Sequence, residues 1–415
     1  MNDMAAAAEP EVVTGTREQL LHLLAEASEI EHTLMCSYLY AAFSLKSREE
    51  DGLTAEQVEA AVRWRRTIIG IAIEEMGHLL MVANLTVAVG GAPHFARPNF
   101  PVSPGYFPSD VVVRLTGFSE DTLDHFIFLE RPRGIGGEDS EAFEQEEYAR
   151  EQAHDGLMPS AQDYRTIGHL YEALRTNLLH LTDRLGEEAL FIGGATAQLG
   201  RNVADLEGVD TITGIEAALR AIDVIVEQGE GSPRDRDDSH YRRFVEIRQE
   251  LAALHAADPE FTPAWPVADN PVLRRPPEPE DKVFIDAREA AVLLDFACAA
   301  YGLLLRLLVQ SFGREPTDAL ARQKRLFAAA IELMHVLGAA SEALARVPAS
   351  ADAPGVNAGM SFTMLRGVEP LLSRSEEVLL TEQLGELARH ARAVPALPQE
   401  AAARLAKLAA GFRVG

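Results

Sequence analysis

Residues 69–83 read Ile69-Gly70-Ile71-Ala72-Ile73-Glu74-Glu75-Met76-Gly77-His78-Leu79-Leu80-Met81-Val82-Ala83, and only Glu74, Glu75 and His78 in this run are ionisable. A helix that is apolar nearly all round is buried on most of its faces. A carboxylate there is costly unless something pairs with it. Glu75 and His78 are three residues apart and so share a face. That Glu-x-x-His spacing lets one helix offer a carboxylate and an imidazole to a single metal ion. A solvated intrahelical Glu–His pair is the competing reading, but such a pair would have other polar residues around it.

The pattern extends in both directions from this run. Downstream, the helix stops near Val89, where Gly90-Gly91 follows. Upstream it reaches Thr54, and Gln57 three residues on completes a capping box. Before a short polar turn (Ser47–Leu53), residues 17–46 repeat apolar side chains at three- and four-residue steps behind a Thr16 cap. Two long helices joined by so short a turn lie antiparallel. Glu31 is about 19 residues before that turn and Glu75 about 25 after it, so at 1.5 Å per residue both sit at similar depth. Glu31, Glu75 and His78 therefore meet near the middle of the hairpin.

A hairpin supplies too few ligands, so a second half-site is needed. His169 and Glu172 stand three apart in a helical stretch over 164–185. Glu227 closes an apolar helix over 214–228 after Ile222, Val224, Ile225 and Val226, and it carries the most weight; Glu230 follows it. Asp237 and His240 share the same three-residue spacing at the start of a further helix ending at Leu254, although a solvated acidic loop is the better reading of Asp237. Carboxylates with imidazoles suit iron or manganese. Zinc would more commonly recruit sulfur, and neither Cys36 nor Cys298 is placed for that.

These elements imply an all-α chain. It divides into a flexible N-terminus (1–16), a helical bundle (17–255) with an irregular or β-containing insertion at 92–163, a Pro-rich linker (256–284) and a C-terminal helical region (285–412). Within the insertion, Val111–Leu115 reads as a strand and Phe126–Leu129 as a second strand or a helix end. The 415 residues carry a formal net charge of −26. That balance opposes nucleic acid, which needs clustered Lys and Arg, and anionic membrane surfaces. No apolar run is read as reaching the ~18 residues that span a bilayer, and no signal peptide is evident, so the cytoplasm is the expected location. Gly134-Ile135-Gly136-Gly137 lacks the strand-to-helix context of a phosphate loop, and no Gly-x-Ser-x-Gly elbow occurs.

Taken together, certain stretches resemble a known group. They are Glu31-His32 with Tyr38-Leu39, the Glu74–His78 run, Leu129-Glu130-Arg131-Pro132, Ile167-Gly168, Glu227-Gln228-Gly229-Glu230-Gly231 and Ser239-His240-Tyr241-Arg242-Arg243-Phe244. The group is the ferritin-like domain of the iminophenyl-pyruvate and chromopyrrolate dimer synthases of violacein and indolocarbazole biosynthesis. The resemblance covers about 17–255 and continues weakly through Met334-His335 and Asn357-Ala358-Gly359. It implies a ferritin-like four-helix bundle with Glu31, Glu75, His78, Glu227 and His240 as metal ligands. His169, Glu172 and Glu230 would be further ligands or supports. Two non-haem iron ions, with manganese as the alternative, would serve an O2-dependent oxidation of a small, amino-acid-derived substrate, in a chain that could form a homodimer. The other reading is a metal-binding scaffold, or a mononuclear metal protein, that handles a reactive imine for a partner oxidase.

Overall fold

The computed structural model describes residues 12–102, 106–107, 112–133, 135, 139–140, 142–143, 164, 166–229, 238–313, 320–366, 368–372 and 375–412. Its helices are α1 (Arg17–Ser44), α2 (Ala55–Ala88), α3 (Glu120–Leu129), α4 (Ile167–Leu185), α5 (Glu187–Leu190), α6 (Ile215–Gly229), α7 (His240–Ala257), α8 (Arg288–Ser311), α9 (Leu320–Leu344), α10 (Glu376–Ala391) and α11 (Gln399–Gly411).

The α1–α2 hairpin organises the molecule. Both helices start with full capping boxes: Thr16 with Gln19, and Thr54 with Gln57. Each box satisfies two of the four backbone N–H groups that a helix start leaves without partners. Against this hairpin pack α4, α6 and α7, with α3 lying on α7, which makes the all-α bundle. Tyr38, Phe126 and Phe244 form an aromatic cluster where α1, α3 and α7 meet, with ring centroids 4.6–5.2 Å apart. The C-terminal helices form a second layer: α8 pairs with α9, α10 and α11 cover them, and α9 touches α1.

One expectation about the insertion changes, and one left open between strand and helix end settles as a helix end. Residues 112–115 form no strand, and Val111 lies outside the described residues. The backbone of Leu115 instead accepts from the Asn270 N–H and donates to the Asn270 side chain, both at 2.9 Å. Val113 accepts from the Val102 N–H at 3.3 Å, and such scattered partners make no ladder. Phe126–Leu129 is the second half of α3, capped by Ser119. Among the described residues, a ladder forms in the Pro-rich linker, where β1 (Pro271–Val272) pairs in parallel with β2 (Val283–Phe284).

Helices α2, α8 and α9 are long and apolar enough to cross a membrane by length and composition, which corrects the reading that no run reaches that length. Their apolar windows are 72%, 72% and 56% buried within the fold, so the same residues serve here as core.

Candidate metal centre

Five buried side chains from four elements converge inside the bundle. Glu31 comes from α1, and Glu75 and His78 from α2. Glu130 is the residue that ends α3, and His240 is the first residue of α7 behind its Ser239 cap. None is more than 5% exposed. They form two triads, Glu31/Glu75/His78 and Glu75/Glu130/His240, with the candidate ligand atoms in each lying within 4.8 Å of one another.

Glu75 belongs to both triads and turns one oxygen to each. Its Oε2 is 3.2 Å from His78 Nδ1, and its Oε1 is 2.8 Å from His240 Nδ1. Glu31 Oε2 lies 3.3 Å from His78 Nδ1, and Glu130 Oε1 lies 3.5 Å from His240 Nδ1. The two imidazoles stack with centroids 5.5 Å apart.

Each ring is oriented from behind. His78 Nε2 is 2.9 Å from the amide oxygen of Gln228. An amide oxygen can only accept, so Nε2 carries a proton and Nδ1 turns inward, where it can give up its own proton to take a cation. Glu74 does the same for His240, with its Oε2 2.9 Å from Nε2, and Arg243 holds Glu74 from the other side. The carboxylates are also tied: Tyr171 donates to Glu31, and Tyr38 donates to Glu130 Oε1 at 2.5 Å. Such partners fix ligand geometry.

Burial, with Glu75 alongside, raises the Glu31 carboxyl to about 8. Burial alone would raise Glu75 too, but His78, Glu31 and His240 hold it well below the usual carboxylate range. Burial opposes charge on His78 as well, yet Glu75 and Glu31 push it up to about 10, and Glu75 and Glu130 likewise raise His240. With no other cation among the five, protons hold these acids together.

A metal pair fits the residues present. His240 Nδ1 is fully buried and finds no aligned hydrogen-bond partner among the described residues, although carboxylate oxygens surround it. A lone pair aimed at a point shared with two carboxylates is what a cation requires. A cavity of about 20 Å³ is lined by Glu31, Glu75, His78, Glu130 and Tyr171. It has room for one water-sized guest and not for an organic molecule.

Of the sequence candidates, Glu31, Glu75, His78 and His240 are brought together. Glu227 is exposed and stands outside both triads; its neighbour Gln228 occupies the buried stripe of α6 with Ala218, Ala221, Ile222 and Ile225. His169 is buried on α4 outside both triads, and Glu172 pairs with Arg175 at the surface. Glu230 and Asp237 lie outside the described residues. Sequence reasoning missed Glu130 as a ligand. A usable signal was present, because a helical reading puts Glu130 on the apolar face of Leu123 and Phe126.

The family model described as ferritin-like matches residues 24–249. The chain is similar to a dichlorochromopyrrolate synthase of Lentzea aerocolonigenes, 29% identical over 392 residues, covering 84% of this chain and 36% of that protein. It is also similar to a 2-imino-3-(indol-3-yl)propanoate dimerase of Chromobacterium violaceum, 30% identical over 344 residues, covering 77% of this chain and 31% of that protein. The chain thus spans about a third of the length of these relatives. Among solved structures, a ferritin-like protein from Caulobacter vibrioides aligns with TM-score 0.46 and 20% identity, over 79% of this chain and 98% of that one.

Proposed function

Because the chain belongs to the ferritin-like family, we propose that it is a non-haem dimetal oxidase, with iron as the metal, that acts on a small organic substrate in secondary metabolism. The observation that carries this reading is the pair of buried triads sharing Glu75. The relatives named as a synthase of a chlorinated chromopyrrolate and a dimerase of an indolyl imino acid support an amino-acid-derived substrate.

Glu31, Glu75 and His78 would hold one ion, and Glu75, Glu130 and His240 the other. Three carboxylates and two imidazoles suit hard, redox-active divalent ions. When bound, an iron pair supplies the reduction of O2 that drives oxidation of the substrate. The protein's part is to keep three negative charges and two lone pairs fixed in a dry site, where their field is strong. Glu75 offers an oxygen to each side, so it sets the spacing of the two positions. Glu74 and Gln228 keep both Nδ1 atoms facing inward, and Tyr171 and Tyr38 hold Glu31 and Glu130 through hydrogen bonds.

Anaerobic loading with ferrous iron, followed by exposure to O2, tests the reading. The expected result is an O2-dependent absorbance change at about two irons per chain. Glu75→Ala and His78→Ala should bind no iron while keeping their helical circular dichroism. Failure of the unaltered protein to take up iron would overturn the proposal. One ion per chain with no response to O2 would favour the scaffold reading instead.

A further inference from the structure

The two halves of the centre match group for group at the front. Each has an imidazole with Nδ1 turned inward and one oxygen of Glu75. Each also has a carboxylate of its own that accepts from a buried tyrosine, Glu31 from Tyr171 and Glu130 from Tyr38. Behind the imidazoles they differ. His240 Nε2 donates to a carboxylate, Glu74, at 2.9 Å, whereas His78 Nε2 donates to the neutral amide oxygen of Gln228 at the same distance. A carboxylate does lie further back on the His78 side, because Gln228 Nε2 donates to Glu207 Oε2 at 3.3 Å. The amide therefore stands between His78 and that charge.

An imidazole that donates to an anion is the more basic ligand at its other nitrogen. Two features oppose this at His240. Arg243 pairs with Glu74, but the Glu74 side chain is 32% exposed on that side of the contact while His240 is wholly buried. Water thus screens the guanidinium more than it screens the carboxylate–imidazole hydrogen bond. The positive end of α7 also lies at His240, and the negative end of α3, at Glu130, opposes it within the same triad. The charge on Glu74 is what remains to set the halves apart.

Resting on the dimetal reading, we propose that the two positions fill in order. The position among Glu75, Glu130 and His240 takes the first ion, and the position among Glu31, Glu75 and His78 takes the second. Glu74 and Gln228 act as positioning residues that set this order through the imidazoles they hold. The second ion in is also the first out, so a chelator empties the His78 side before the His240 side.

Two cations that share Glu75 repel each other, so stepwise affinities separate even in a symmetric centre. Where the first ion sits is therefore the deciding observation. The full chain is loaded anaerobically with one equivalent of ferrous iron, crystallised, and read by anomalous scattering at the iron edge. The expected result is a peak on the His240 side at least about tenfold stronger than any on the His78 side. Glu74→Gln keeps an acceptor for His240 Nε2 and removes its charge. It should weaken the first binding step, measured against a chromophoric chelator, and spread the first ion over both positions. Gln228→Glu combined with Glu207→Gln exchanges acid and amide behind His78. It should also spread the first ion, but by tightening the His78 side.

Equal peaks in the unaltered chain, a first peak on the His78 side, or an unchanged distribution in Glu74→Gln would overturn the order and leave the dimetal reading standing. No iron uptake at any ratio would overturn both.

Discussion

Glu31→Gln should make the metal-free protein more stable and the metal-binding protein useless, and the two effects can be measured separately. The Glu31 carboxyl has its ordinary value of 4.5 when unfolded and about 8 when folded. Stability associated with it is fully present below pH 4.5 and is lost as pH rises toward 8. At pH 7 that interval is 2.5 units, which at 1.36 kcal/mol per unit costs about 3 kcal/mol. Glutamine has the same shape, does not titrate, and still offers an oxygen to Tyr171. Weakening the contact with His78 takes back about 1 kcal/mol. The variant should therefore gain about 2 kcal/mol over the chelator-treated parent at pH 7, and be about 1 kcal/mol less stable than it at pH 4.5. Metal at 100 times its dissociation constant should stabilise the parent by about 2.7 kcal/mol and the variant much less. Urea unfolding followed by circular dichroism, with chelator and then with metal, reads all four states. The reasoning is refuted if the metal-free variant is less stable at pH 7, or if metal stabilises both proteins equally.

Further expectations concern the rest of the centre. Glu130→Ala should abolish loading of the second metal position, whereas Glu227→Ala should leave stoichiometry unchanged by elemental analysis; the reverse pattern would move the site to α6. Glu74→Gln leaves His240 without its anionic partner and should weaken metal binding by roughly 10- to 100-fold with the fold intact, measured by competition with a chromophoric chelator. Since a cation must displace the protons that Glu31, raised to about 8, and His78, raised to about 10, hold near neutral pH, affinity should climb with pH across the range from 6 to 8. A pH-stat titration should detect protons released on metal addition, and pH-independent affinity would contradict the shared-proton picture.

The parts of the fold visible in the sequence are those governed by local rules. The capping boxes at Thr16 and Thr54, the Gly90-Gly91 stop and the 3.6-residue periodicity place α1 and α2 almost to the residue. Because the turn between them is short, the pairing of Glu31 with Glu75 and His78 follows from counting. The other half of the centre depends on long-range packing. Glu130 ends a ten-residue helix whose Phe-Ile-Phe-Leu sequence suits a strand as well as a helix. On α6, Glu227 and Gln228 differ by one 100° step, so one faces solvent and the other reaches His78. Hydrophobicity alone favoured the carboxylate, while the stripe of buried residues favoured the amide. The Val112–Leu115 run has strand-forming residues, but its backbone partners are Val102 and an asparagine in the linker, which no local pattern reveals.

Anomalous X-ray scattering at the iron edge, on crystals of protein loaded with iron, bears most directly on the central claim. The account predicts two peaks per chain, one among Glu31, Glu75 and His78 and the other among Glu75, Glu130 and His240. A single peak, peaks near Glu227 or His169, or none at full loading would contradict it.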